Sequence, residues 1–261
     1  MRAEYSKITE GAGQKATKEQ IERLYHRYHF ASRYIAGGEV LEVGCGSGIG
    51  LGYLAKRASR VVGGDIDREN VEEAAYYHRE NRDISVLKLD AHNLPFDDEC
   101  FDAILLFEVI YYLEKPEQFI SEAHRLLKDP GYLIICTVNR NWKDFHPSKY
   151  SIKYFSVPEL YALLQTSFSF VEILGAFAAS DNGIKARAFS SVKKTASKLN
   201  LIPGSLKARE RLKRIFIGSL EPIPAEIRDG TIGYWEPVTI ASNTSTDKFK
   251  ILYAVATKSS R

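Results

Sequence analysis

Cysteine is scarce in this sequence: Cys45, Cys100 and Cys136 stand far apart, and no CxxC pair joins any two of them. That spacing offers neither a disulfide framework nor the paired thiolates of a structural zinc site, so no metal is expected and a reducing compartment suits the chain. No run approaches the roughly 20 apolar residues that cross a membrane. The opening MRAEYSKITEGAGQKATKEQ also lacks the apolar stretch of a signal peptide. An excess of one charge is missing as well: 36 basic residues face 33 acidic ones, so the whole chain does not demand an anionic partner. Internal repeats and low-complexity tracts are absent, which argues against solenoids and disordered linkers. What is present is 261 residues, 44 % of them hydrophobic, enough to bury the core of one large domain or of one domain carrying an insertion. A soluble, cytoplasmic protein is expected.

Residues 1–16 are polar and aperiodic, either a frayed tail or a flap ordered by a ligand. Thr17 and Gln20 then have the spacing of a capping box, Ile21, Leu24, Tyr25, Tyr28, Ser32 and Ile35 share one helical stripe, and Gly37-Gly38 ends it. Short apolar runs follow at 40–43, 60–65, 84–89, 101–107 and 132–138, separated by helical patterns at about 48–58, 68–81 and 116–128. Alternation of this kind builds right-handed βαβ units. Ser156 and Glu159 form a second capping box opening a helix to about residue 166, and strands are expected at 168–174 and 249–256. About 74 residues lie between those last two strands, far more than an ordinary connection needs. The predicted fold is α/β: a Rossmann-like, doubly wound, mainly parallel seven-stranded sheet with an N-terminal helical cap and a helical insertion before the last strand. It divides into a flap and helix (1–38), a cofactor-binding core (39–175), a basic insertion or lid (176–247) and a last core strand with its tail (248–261).

Such a sheet binds ligands at the carboxyl ends of its strands, so Gly44, Asp65, Asp90 and Glu108 are expected to converge on one crevice. Gly44, Gly46 and Gly48 follow the first buried strand, and glycines there let backbone N–H groups approach a ligand closely. The dinucleotide fingerprint would need a sixth-position glycine, where Ile49 stands; a GxGxxA match at 50–55 falls inside the helix instead. Asp65 closes the second strand, where a carboxylate accepts from ribose hydroxyls, with Ile66 on the adenine face; the alternative is a helix cap, for which Asp67 is the better candidate. Asp90 and Ala91 end the third strand within reach of an adenine amino group.

The ordered series EVGCGSG (42–48), VVGGDID (61–67), LKLDAHNLPFDDECFDAILLFEVIYYL (87–113) and FISEAHRLLKDPGYLIICTVN (119–139) resembles the motif succession of class I S-adenosylmethionine-dependent methyltransferases of the small-molecule type. The resemblance covers about residues 25–140. It implies S-adenosyl-L-methionine as cofactor, with Gly44, Gly46 and Gly48 around its methionine portion and Glu42 near its amino group. It also implies Asp65 on the ribose, Asp90 and Ala91 on the adenine, and Phe107 with Glu108 at the edge of the methyl-transfer crevice. The Tyr25-His26-Arg27-Tyr28 stretch resembles the helix preceding the first strand in such enzymes. There Arg27 would pair with the cofactor carboxylate and Tyr28 close over the sulfonium, the alternative being a stripe of core aromatics with Arg27 facing solvent. The chain departs from the family at Lys128-Asp-Pro-Gly131, where a Lys-Pro-Gly-Gly turn is common, and at Tyr112, where many members have histidine.

Methyl transfer from a sulfonium is an in-line displacement, so a base is needed only if the acceptor must lose a proton. Catalytic candidates are His146, on the loop after the fifth strand, and Tyr112, followed by Tyr111, Tyr150, Asp229, Tyr234 and Glu236. Between residues 181 and 220 ten Lys or Arg stand against two acidic residues, so a basic face could meet phosphates or make peripheral contact with an anionic membrane. The resemblance extends to methyltransferases of polysaccharide and lipopolysaccharide assembly, implying O-methylation of a sugar hydroxyl on a nucleotide- or lipid-linked glycan. The alternatives are another small-molecule acceptor (phenol, carboxylate or amine) and, less favoured, an RNA methyltransferase, suggested by the basic run, or a non-catalytic cofactor-binding protein. A nucleic-acid partner is disfavoured because no RNA-binding module is recognisable.

Overall fold

The chain is described by a computed structural model covering residues 10–148, 150–179, 220–230 and 232–259. In chain order its elements are β1 (Lys15–Thr17), α1 (Lys18–Ala31), β2 (Glu39–Val43), α2 (Leu51–Ala55), β3 (Arg60–Asp65), α3 (Arg68–His78), β4 (Ile84–Lys88), β5 (Phe101–Phe107), α4 (Pro116–Leu126) and β6 (Leu127–Val138). There follow α5 (Val157–Leu164), β7 (Phe170–Ala178), β8 (Leu220–Pro222), β9 (Val238–Ile240) and β10 (Phe249–Lys258). The two amphipathic segments expected at about 185–199 and 205–217 lie outside the described residues.

Alternate residues of the central strands enter two separate cores, as a sheet covered on both faces requires. On β6, Leu133 and Ile135 pack with α4 and α5, whereas Ile134 and Cys136 pack with α1 and α2; on β10, Leu252 and Ala254 divide from Ile251 and Tyr253 in the same way. The strand order is β4-β3-β2-β5-β6-β10-β7-β9. Neighbours from β4 to β6 run parallel, and β10 enters antiparallel between β6 and β7. The α/β Rossmann-like fold and its mainly parallel core follow the sequence reading, with an antiparallel C-terminal extension. The expected seven strands become eight, because Val238–Ile240 pairs antiparallel with Ile173–Gly175 at the far edge. Three residues with one buried side chain leave too short an alternation to be read as a strand.

Within the described residues the N-terminal segment joins the body: Lys15–Thr17 pairs with Leu220–Pro222, and Gly13 N–H donates to the Ile223 carbonyl at 2.9 Å. Helix α2 is shorter than the expected span of 48–58, since the glycine loop continues to Gly50 before α-helical turns begin at Leu51. The GxGxxA match consequently straddles the start of α2 rather than a strand end. Among the described residues no helix is long and apolar enough to cross a membrane.

Both expected capping boxes are present. At α1 the Thr17 N–H donates to Gln20 Oε1 (2.9 Å) while Gln20 N–H donates to Thr17 Oγ1 (3.2 Å). At α5 the Ser156 N–H donates to Glu159 Oε2 at 2.8 Å. Because that box starts a helix with four buried residues, Ser156→Ala is expected to cost about 1 kcal/mol, read as a lower urea midpoint at unchanged slope.

Candidate active site

The chain lays down β2, β3 and β4 in one direction, then returns to place β5 on the other side of β2, so the carboxyl ends of β2 and β5 flank the switch point where open α/β sheets bind ligands. A cavity of about 500 Å³ opens there, and Gly44, Asp65, Asp90 and Glu108 all contribute to its wall.

Beyond Val43 the backbone turns through Gly44 (φ 75°) and Gly46 (φ 57°), both left-handed and accessible at low cost only to glycine. A Cβ on Gly44 would also stand 2.3 Å from Val109 Cγ2. The turn is held from β3: Gly44 and Cys45 N–H groups both donate to the Gly64 carbonyl (2.7 and 3.0 Å), and Gly46 N–H donates to Asp65 Oδ2 at 2.9 Å. The other Asp65 oxygen accepts from Asp67 N–H (2.8 Å), and burial raises this carboxyl above its ordinary range. Asp67 itself caps α3, accepting from Glu69 N–H at 2.9 Å, as the sequence suggested.

Glu42 is 1 % exposed. It accepts from Tyr28 OH at 2.6 Å through Oε1, while its Oε2 is buried without a partner among the described residues. Burial pushes this carboxyl up to about 7, against the opposing pull of Tyr28 and Arg27. Tyr28 also packs edge-on against Phe107, ring centroids 5.2 Å apart. Arg27 does not face solvent: its side chain is 11 % exposed, lines the cavity and pairs with Glu10 at 2.8 Å. Glu10 in turn accepts a Ser47 hydroxyl bond at its carbonyl (3.3 Å), so the N-terminal segment crosses the mouth of the glycine loop.

Glu108, directly after β5, also lines the cavity and has φ 58°, an uncommon backbone for a side chain of this size. Its N–H donates to the Cys136 carbonyl (2.8 Å), and its Oε2 accepts from Tyr111 OH (2.9 Å). Burial raises the carboxyl, with Arg27 and the Tyr111 bond pulling the other way. Tyr111 stacks on Tyr154 at 4.5 Å and is itself pushed well up by burial and by Glu108, so it stays a phenol.

The cavity wall also holds Ile66, Ala91, Phe107 and Tyr112. Asp90, on the same wall, takes His92 N–H (2.9 Å) and His92 Nδ1 (2.8 Å); the backbone bond lowers its carboxyl. Gly48 lies behind the loop, its carbonyl 2.8 Å from His78 Nε2, and His146 is exposed on the loop after β6, outside the wall. Tyr150 is also outside it. The expectation that Asp229, Tyr234 and Glu236 reach the crevice fails. Asp229 is engaged by Tyr53 and Arg57, and Glu236 by Arg33, so all three cover the far side of α1.

Glu10, Gln20 and Arg23 line the cavity without having been picked out as site residues in the sequence, where Gln20 was read only as a helix cap. Glu10 sits where no periodicity exists to read. Arg23 had a usable signal, since it stands one helical turn before Arg27 and hence on the same face of α1.

The donor set fits the cofactor that the sequence implies. A buried, unpartnered carboxylate oxygen on Glu42 suits an ammonium, a cavity-facing guanidinium on Arg27 suits a carboxylate, and glycine at 44 and 46 leaves room between them.

Residues 41–135 match the family described as methyltransferase domain. The match covers less than half of the chain and marks these residues as similar to a methyltransferase domain. Over 162 residues the chain is 33 % identical to a Mycolicibacterium smegmatis protein named as a probable S-adenosylmethionine-dependent methyltransferase, covering 60 % of this chain and 59 % of that one. A ubiquinone biosynthesis O-methyltransferase of Bartonella bacilliformis is 30 % identical over 129 residues, 49 % of this chain and 52 % of the relative. The chain thus spans just over half the length of these relatives. Among solved structures, the cyclase SpnF superposes with a TM-score of 0.58 at 17 % identity over 97 % of this chain and 87 % of its own, a likeness of fold alone.

Proposed function

We propose that the chain transfers a methyl group from S-adenosyl-L-methionine to a hydroxyl oxygen of a small-molecule acceptor, with Glu108 as the base. The observation that carries this reading is the Glu108–Tyr111 pair, a carboxylate held by a phenol on the cavity wall that faces the glycine loop and Arg27. When bound, the cofactor supplies an electrophilic methyl carbon on a sulfonium. Glu42 would hold its ammonium, Arg27 its carboxylate in exchange for Glu10, and Asp65 its ribose hydroxyls, with Gly44 and Gly46 leaving the space. Ile66 and Ala91 would flank the adenine and Asp90 accept from its amino group. Glu108 takes the acceptor's proton, and Tyr111 orients that carboxylate rather than acting as a base, because its own proton is held well above neutrality. Tyr112, half-buried against Tyr111, is likewise raised by burial and serves as a hydrogen-bond donor. His146 stands outside the wall and takes no part in proton transfer here.

Oxygen as the attacking atom is supported by the O-methyltransferase of Bartonella bacilliformis and by a base, which a neutral amine would not need to attack. Within that class the narrower acceptor is a sugar hydroxyl on a nucleotide- or lipid-linked glycan, for which the support is the basic run of residues 181–220. Transfer of radiolabelled methyl to a panel of sugar nucleotides, phenols, carboxylates and amines tests both levels. Label on hydroxyl compounds supports the reading, whereas label on amines alone, or on none of the panel despite cofactor binding, overturns it.

Glu42 makes a second, calorimetric test. An ammonium beside Oε2 favours the ionised carboxylate, so cofactor binding near pH 7 is expected to release a proton, seen as a binding enthalpy that varies with the buffer's ionisation heat; Glu42→Gln removes that dependence. The same shift sets the ligand-free protein's response to pH. Its carboxyl is raised in the folded state from 4.5 to about 7, so the stability it contributes is complete below 4.5 and is lost as pH rises through 7, on the order of 3 kcal/mol. Urea melts at pH 5 and pH 8 should show this loss in the wild type and not in Glu42→Gln.

A further inference from the structure

Along the cavity face of α1 the side chains divide by depth. Tyr28 and Arg27 reach toward Glu42 and the glycine loop, while Arg23 lies one turn nearer the N-terminal end of the helix. Arg23 lines the same cavity, and its Nε is buried with no hydrogen-bond partner among the described residues. A buried guanidinium donor left unmet costs stability unless a ligand meets it.

The surroundings of Arg23 are built to hold it in place. Its guanidinium lies 5.6 Å from the Phe177 ring centroid and 5.8 Å from that of Trp142. Its Nη2 pairs with Glu19, and Lys250 Nζ bonds the same carboxylate at 2.7 Å while resting 5.5 Å from Trp142. Two cations therefore share the Glu19 carboxylate. Arg27, whose Nε is likewise buried without a partner among the described residues, is matched one-to-one by Glu10. Arg23 and Glu108 both line this cavity.

We infer that Arg23 is the anion-recognition residue of the acceptor site, so that the acceptor carries a carboxylate or phosphate in addition to the hydroxyl presented to Glu108. This rests on the methyltransferase reading above and names the acceptor's charge. The guanidinium lines the cavity and is held by two aromatic rings and a shared carboxylate, so it meets that anion at little further cost in side-chain freedom.

The test is calorimetric titration of protein saturated with S-adenosylhomocysteine, using two matched pairs: glucose 1-phosphate against methyl glucoside, and salicylate against salicylamide. At least one charged member is expected to bind about tenfold or more tightly than its neutral partner, the scale of one charge-assisted hydrogen bond, and the pair that shows it distinguishes phosphate from carboxylate. Arg23→Gln should abolish that preference and Arg23→Lys retain part of it, with S-adenosylhomocysteine affinity within about twofold of wild type in both. Lys250 stays on Glu19 in these variants, so neither leaves that carboxylate without a cation. Equal affinity within both pairs, no saturable binding of either charged probe, or a preference that survives Arg23→Gln would each overturn the inference. Failure of the wild type to bind S-adenosylhomocysteine at all would instead overturn the cofactor reading.

Discussion

Glu108→Gln is expected to lower kcat by about 100- to 10,000-fold on a hydroxyl acceptor, the range for loss of a positioned base, with cofactor affinity little changed. Glutamine keeps the shape and can still accept from Tyr111, so packing is preserved while proton acceptance is removed. The pH profile gives an independent check. Activity needs the ionised carboxylate, and burial holds its pKa above the ordinary glutamate range, so wild-type kcat should fall as pH drops through that raised value. Glu108→Gln should lose this acid limb along with the rate. A variant with wild-type kcat and an unchanged profile would remove Glu108 from the chemistry and leave its left-handed backbone without a functional reason.

Asp65→Ala should weaken S-adenosyl-L-methionine binding by about 1 to 3 kcal/mol or more, because two losses combine. The ribose loses its carboxylate acceptor, and Gly46 loses the bond that fixes the glycine loop to β3. The Asp67 cap on α3 remains, so the unfolding midpoint should move far less than the affinity. Calorimetry on the variant checks both quantities, and unchanged cofactor affinity would mean that Asp65 serves the loop alone.

The parallel half of the sheet was legible because β2, β3, β5 and β6 are buried apolar runs, and the strand ends at Gly44, Asp65, Asp90 and Glu108 then met at one cavity as topology requires. The edge strand Val238–Ile240 was not, since it has one buried residue and no period to display. Arg27 was ambiguous from sequence because a helical stripe of Leu24, Tyr25 and Tyr28 fits a plain core as well as a pocket wall. Only the Glu10 pairing, 17 residues away and across a turn, turns it inward. His146 looked favourable because its loop follows a strand at the functional edge, yet neighbouring positions on such a loop diverge: Asn139 is buried and His146 exposed. Tyr111 and Arg23 were reachable from spacing, the first by lying three residues beyond Glu108 and the second four before Arg27. Glu10 was not, having no pattern around it.

The most direct measurement is a crystal structure with S-adenosylhomocysteine. The ligand is expected in the cavity between β2 and β5, its amino group within hydrogen-bond reach of Glu42 Oε2, its carboxylate on Arg27 in place of Glu10, and its ribose hydroxyls on Asp65. A ligand bound elsewhere, or one whose ribose lies away from Asp65 with Glu42 Oε2 still unpartnered, would contradict the assignment of this cavity as the methyl-donor site.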